Sequence, residues 1–140
     1  MRSLAVGALA VLGLTFVGPA WAILVQFRTP TSNIGCVYSS EPGGTGPYLR
    51  CDILSGLKPK PSRPKGCTLD WTFGFQMNRT GRARTVCAGD TAVNTHAKVL
   101  RYGHKWSAGG FSCTSRRTGL RCRNRSGHGF ALSRAHSYRF

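Results

Sequence analysis

The sequence predicts an all-β fold, a small antiparallel sandwich or barrel stapled by disulfides. Three observations carry that expectation. Helical periodicity is scarce, and short alternating or apolar runs are broken every few residues by Gly, Pro, Ser and Asn. Six cysteines occur in 140 residues. The amino terminus has the form of a secretory signal, which would carry those cysteines to an oxidising compartment where they pair.

The signal occupies residues 1–22. Met1-Arg2 supplies the positive start, Leu4 to Val17 the apolar run, and Ala20-Trp21-Ala22 the small-x-small cleavage site. Cleavage after Ala22 leaves residues 23–140, a length that suits one domain. No later apolar run approaches the ~20 residues of a bilayer span, so no transmembrane segment is expected in the mature chain. The expected location is secreted or periplasmic.

Strands are predicted at residues 24–28, 34–39, 48–53, 71–76, 83–87, 98–102, 111–115, 120–123 and 129–133. Residues 41–47 form a glycine-rich loop. Residues 58–65, Lys-Pro-Lys-Pro-Ser-Arg-Pro-Lys, form a basic and extended connector. Asp90-Thr91 suits a brief capped turn before the strand at 98. Trp71, Phe73, Phe75, Trp106, Phe111 and Phe130 read as strand aromatics, which usually pack in the core.

Strand geometry favours one cysteine pairing. If Cys113 and Cys122 face each other on adjacent strands, Thr114 opposes Arg121 and Ser115 opposes Leu120. That register leaves a four-residue loop, 116–119, with Gly119 free to take positive φ. A directly opposed antiparallel pair is close enough for a disulfide. The same reasoning joins Cys36 to Cys51 and leaves Cys67 for Cys87. No C-x-x-C pair and no Cys/His cluster of zinc spacing occurs, so no metal is expected. No cofactor is expected either.

The net charge is +16 and is unevenly placed. Residues 23–81 carry seven basic side chains and three acids, whereas residues 82–140 carry twelve and one. Such a field attracts polyanions: wall polymer, lipid headgroups or nucleic acid. Ten of those twelve are Arg, which either anion recognition or a GC-rich genome would produce. Side chains alternate along a strand, so Arg121 and Arg123 should point away from Leu120 and Cys122. With Arg125 beyond the strand and Arg116 and Arg117 at the turn, five arginines crowd one hairpin. Their planar forks suit phosphate or carboxylate. A solvated, aggregation-resistant strand is the competing reading.

Enzymatic signals are sparse. The four acids, Glu41, Asp52, Asp70 and Asp90, show no paired-carboxylate spacing, and no G-x-S-x-G elbow occurs. His128, between two glycines, and His104, beside Lys105, are the pieces available to a nuclease-like hydrolase. The favoured reading of His128 is a packed ring bonded to backbone. Asn78-Arg79-Thr80 and Asn124-Arg125-Ser126 match the glycosylation pattern.

Several segments occur together. They include 27–36 (Phe-Arg-Thr-Pro-Thr-Ser-Asn-Ile-Gly-Cys), Leu49-Arg50-Cys51-Asp52-Ile53 and Cys87-Ala88-Gly89-Asp90-Thr91. Further along come Val99-Leu100-Arg101-Tyr102-Gly103, 110–115 (Gly-Phe-Ser-Cys-Thr-Ser), Gly119-Leu120-Arg121-Cys122 and Gly127-His128-Gly129-Phe130. In this set the chain resembles a family of small exported bacterial domains of unknown function, met often in actinobacteria. The resemblance implies a secreted, disulfide-bearing, β-rich module. It implies no known activity, cofactor or catalytic residue. Of the five arginines, Arg116, Arg117, Arg123 and Arg125 lie outside these segments. The expected function is a non-enzymatic binding or structural module that contacts anionic envelope or extracellular polymers, with the hydrolase as the alternative.

Overall fold

The computed structural model describes residues 13–14, 18, 21–41 and 46–140. Most of the expected leader at 1–22, and residues 42–45 of the glycine-rich loop, lie outside the described residues.

Among the described residues, eleven strands form two sheets. The first holds β1 (Leu24–Arg28), β2 (Ile34–Ser39), β3 (Tyr48–Ile53), β4 (Gly74–Asn78), β5 (Arg84–Thr85) and β6 (Lys98–Val99), in the order β5-β4-β3-β2-β1-β6. The second holds β7 (Lys105–Ala108), β8 (Phe111–Arg116), β9 (Gly119–Arg123), β10 (Gly129–Leu132) and β11 (Tyr138–Arg139), in the order β11-β10-β9-β8-β7. The described residues contain no helix. The architecture is sandwich-like and does not close into a barrel. Every strand pair is antiparallel except β1 with β6.

The core takes alternate residues from both sheets. β2 contributes Ile34, Cys36 and Tyr38; β3 contributes Leu49, Cys51 and Ile53. Phe111, Cys113, Leu120, Cys122, Phe130 and Leu132 answer from β8, β9 and β10. The disulfides are Cys36–Cys51, Cys67–Cys87 and Cys113–Cys122, the order expected from the sequence. Cys36 opposes Cys51 and Cys113 opposes Cys122 in the ladders, each pair with Cα atoms 4.1 Å apart. These two bridges meet in the middle of the sandwich, where Cys51 Sγ lies 4.0 Å from Cys122 Sγ.

Several element boundaries correct the sequence reading. The strand expected at 71–76 begins at Gly74 and runs to Asn78. Trp71 and Phe73 precede it; Phe73 is exposed, and Trp71 sits under the Arg63 guanidinium, 3.7 Å from the ring centroid. The strands expected at 83–87 and 98–102 shrink to two residues each. β7 and β11 were not foreseen. β7 joins β8 through Gly109-Gly110, both at positive φ (58° and 92°), which suits a tight hairpin. Arg116 pairs with Gly119, so the β8–β9 loop shortens from four residues to Arg117-Thr118.

The two outer faces differ. On the first sheet, the segment after Asp90 folds over β2 and β3. Buried Asp52 accepts from the Ala92 amide (2.8 Å) and from Arg50 (2.7 Å), and Arg50 also donates to Asp90 (3.0 Å). Burial of the Arg50 guanidinium opposes its charge, but hydrogen bonds and attraction from Asp52 and Asp90 outweigh this and raise its pKa. A Cβ on Gly35 would collide with the backbone at Val93, so the overlying segment needs a glycine there. On the second sheet, Lys105, Ser107, Arg116, Arg121, Arg123 and Tyr138 point outward and are exposed.

Candidate functional site

The open face of the second sheet is built by cross-strand rungs. One rung runs Lys105–Thr114–Arg121–Ala131–Tyr138 across all five strands. The next holds Ser107, Ser112, Arg123 and Gly129. Phe140 closes it, exchanging two backbone hydrogen bonds with Gly129 (2.9 and 3.0 Å). At strand spacings of about 4.8 Å, the rung from Lys105 to Tyr138 spans roughly 19 Å. Arg121 and Arg123 stand about 7 Å apart along β9.

Aromatic rings hold the central arginine. The Arg121 guanidinium lies 3.7 Å from the Phe140 ring centroid, and its Nη1 donates to Tyr138 Oη at 3.0 Å. His136 stacks on Tyr138 with centroids 5.3 Å apart. Stacking fixes the plane of the fork and leaves its remaining N–H donors toward solvent. Between these groups runs a groove of about 250 Å³, lined by Thr114, Arg116, Arg121, His136 and Tyr138 among others. The last acidic residue in the sequence is Asp90, so no acidic side chain of residues 91–140 offsets this charge. Among the described residues, carboxylate ion pairs involve Arg50 only.

The five arginines singled out from the sequence do not converge on one point. Arg121 and Arg123 share the outer face. Arg116 and Arg117 stand at the β8–β9 turn, where Arg117 lies 5.2 Å above the Tyr102 ring. Arg125 is at the opposite end of the sheet: its amide donates to the Arg79 carbonyl (3.0 Å), next to the Gly109-Gly110 turn. The arrangement is a strip along the hairpin. The sequence reading missed Lys105 as a face residue, and it missed Tyr138 and Phe140. The alternation in Ser137-Tyr138-Arg139-Phe140 was a signal for β11, though a run that short is ambiguous.

His128 Nδ1 meets the Phe140 carbonyl at 3.3 Å, and its amide donates to Asn124 Oδ1 at 3.1 Å. Gly127 takes φ 82°, and a Cβ on Gly129 would run into the Cys122 carbonyl, so both glycines answer to backbone geometry. His104 is exposed at the start of β7, three strands away from His128 in the sheet order. No Asp or Glu side chain in the second sheet neighbours either histidine, and the two do not meet. Cys36, Cys51 and Cys122 have sulfurs within 4.8 Å of one another, but each is locked in a disulfide and offers no thiolate to a metal.

A family model matches residues 8–140, nearly the whole chain. The chain belongs to DUF6636, a family of unknown function. No curated protein and no solved structure matches it. Its three disulfides fit a protein that folds outside the reducing cytosol. No helix among its described residues is long and apolar enough to cross a membrane.

Proposed function

We propose that this protein is an exported, non-enzymatic module that holds anionic envelope or extracellular polymers against the outer face of its second sheet. The observation that carries the reading is the rung-wise display of Lys105, Arg121 and Arg123 on an uncovered sheet that lacks any acid, with Phe140 and Tyr138 bracing Arg121. Arg116 extends the charge to one end of the strip, and Arg117 and Arg125 mark its two tips. The leader at 1–22, the single domain at 23–140 and a secreted or periplasmic site belong to the same reading. No observation favours the nuclease-like alternative through His128 or His104.

The test is binding of the oxidised protein to wall polymer, heparin and duplex DNA across a salt series. Neutralising about five phosphates gives a log–log slope near −4.5 on duplex DNA. Arg121→Ser and Arg123→Ser each shorten that slope by about 0.9 and leave the circular dichroism spectrum unchanged, because both side chains face solvent. Affinity that ignores salt would defeat the proposal.

A further inference from the structure

At the β8–β9 turn end of the sandwich, a cleft of about 340 Å³ opens between the two sheets. Its cationic wall comes from two turns of the second sheet. Arg116 and Arg117 enter from the β8–β9 turn and Arg134 from the β10–β11 loop. All three are exposed, and among the described residues none is paired with a carboxylate. The facing wall is uncharged and mixed in character, with Thr29, Thr31 and Asn33 from the β1–β2 turn, Ile34 from β2 and Tyr102 from the β6–β7 connection.

The walls are held in place before any ligand arrives. The Tyr102 ring lies under Arg117. Ser133 Oγ donates to the His136 carbonyl (2.7 Å) and accepts from the His136 amide (2.9 Å), which fixes the loop that carries Arg134. Asn33 exchanges two hydrogen bonds of 3.2 Å with Ser55. Between Thr31 and Asn33 sits Ser32 at φ 57°, the one non-glycine residue at positive φ among the described residues. Backbone strain of that kind collects at binding and catalytic sites.

Three guanidiniums on one small cleft call for about two negative charges on one group, which a phosphate monoester supplies with three acceptor oxygens. A volume at the low end of small-molecule sites limits the rest of the ligand to about one sugar ring. We infer that this cleft binds a sugar phosphate, with the phosphate on Arg116, Arg117 and Arg134 and the sugar hydroxyls against Thr31, Asn33 and Tyr102. The site goes beyond the polymer-binding face and stands if that reading fails.

Calorimetric titration of the oxidised protein with glucose 6-phosphate, inorganic phosphate and glucose tests it. Saturable binding is expected for glucose 6-phosphate, weaker binding for phosphate and none for glucose. Arg134→Gln lowers the affinity for glucose 6-phosphate about tenfold. Tyr102→Phe keeps the ring under Arg117 and weakens glucose 6-phosphate but not phosphate. Arg123→Ser, outside the cleft, weakens polymer binding and leaves glucose 6-phosphate unchanged. A maltohexaose ending in a 6-phosphate separates the two supporting outcomes: tighter binding than the monosaccharide identifies a polymer end as ligand, and weaker binding identifies a free sugar phosphate. The inference is overturned by absent saturation, by phosphate binding as tightly as glucose 6-phosphate, or by equal losses in Arg134→Gln and Arg123→Ser.

Discussion

Ser115 sits fully buried on the inner face of β8, and its hydroxyl has no hydrogen-bond partner among the described residues. Its backbone is satisfied: the amide donates to the His104 carbonyl (3.0 Å), and the carbonyl accepts from Gly103 (2.7 Å). The cost therefore lies in the hydroxyl alone, as a desolvated polar group. Ser115→Ala is expected to stabilise the protein by about 1 kcal/mol and to raise Tm by about 4 °C, measured by thermal melting. At this scale the sequence was uneven. It placed Ser115 opposite Leu120, as the ladder has it. It gave no hint that the hydroxyl would lack an acceptor, because that depends on what the opposite sheet brings over it. Phe73 fails for a related reason. Its aromatic character suggested core, but the strand starts one residue later and leaves the ring exposed.

At the scale of elements, the β8–β9 hairpin shows how far local chemistry reaches. Two cysteines nine residues apart, a glycine after a short polar turn and strict alternation were enough to set its register. Gly119 takes φ 135°, and a Cβ there would run into the Leu132 carbonyl of β10, so the glycine serves the β9–β10 pairing as well as the turn. The Cys36–Cys51 bridge closes a sequence separation of 15 residues across the β2–β3 loop. Replacing both cysteines by alanine is expected to cost about 3 kcal/mol, read from the shift of the urea midpoint. A loss near zero would mean that β2 and β3 pair as firmly without the bridge. β7 was missed although Gly109-Gly110 marked its turn, because four residues mixing Lys, Trp, Ser and Ala give too short an alternation to stand out. β5, β6 and β11 are pairs of residues recruited by neighbouring strands, and tertiary pairing, not propensity, decides such short elements.

Over the whole molecule, basic side chains occur on both sheets, but acidic ones do not. All four acids lie before residue 91, and two of them flank Arg50 over the first sheet. The hydrogen bond and attraction from Arg50 hold the Asp90 carboxyl below its ordinary value of 3.8. Hydrogen bonds from Thr72 do the same for Asp70. A carboxyl whose pKa is lower folded than unfolded stabilises the fold above the unfolded value, and that contribution fades as pH drops through the folded one. The Tm is therefore expected to hold from pH 7 to about 5 and to fall below about pH 4. Protonation there also deepens the self-repulsion of a strongly basic chain. Asp90→Asn should lower Tm slightly at pH 7 and make the acid fall shallower. An unchanged acid limb in that variant would show that the Arg50 pair does not contribute.

The all-β class, the Cys36–Cys51 and Cys113–Cys122 pairings and the register of the central hairpin were legible in the sequence, because alternation, turn residues and opposed cysteines act over a few neighbouring positions; Cys67–Cys87, which joins two loops, followed only as the remaining pair. Only the tertiary structure decided which sheet face stays open, that Phe140 and Tyr138 come to brace Arg121, and that Arg116, Arg117 and Arg134 share a cleft with the β1–β2 turn. Those relations join residues far apart in the chain, and they depend on how two sheets and their covering loops pack, which no local pattern encodes.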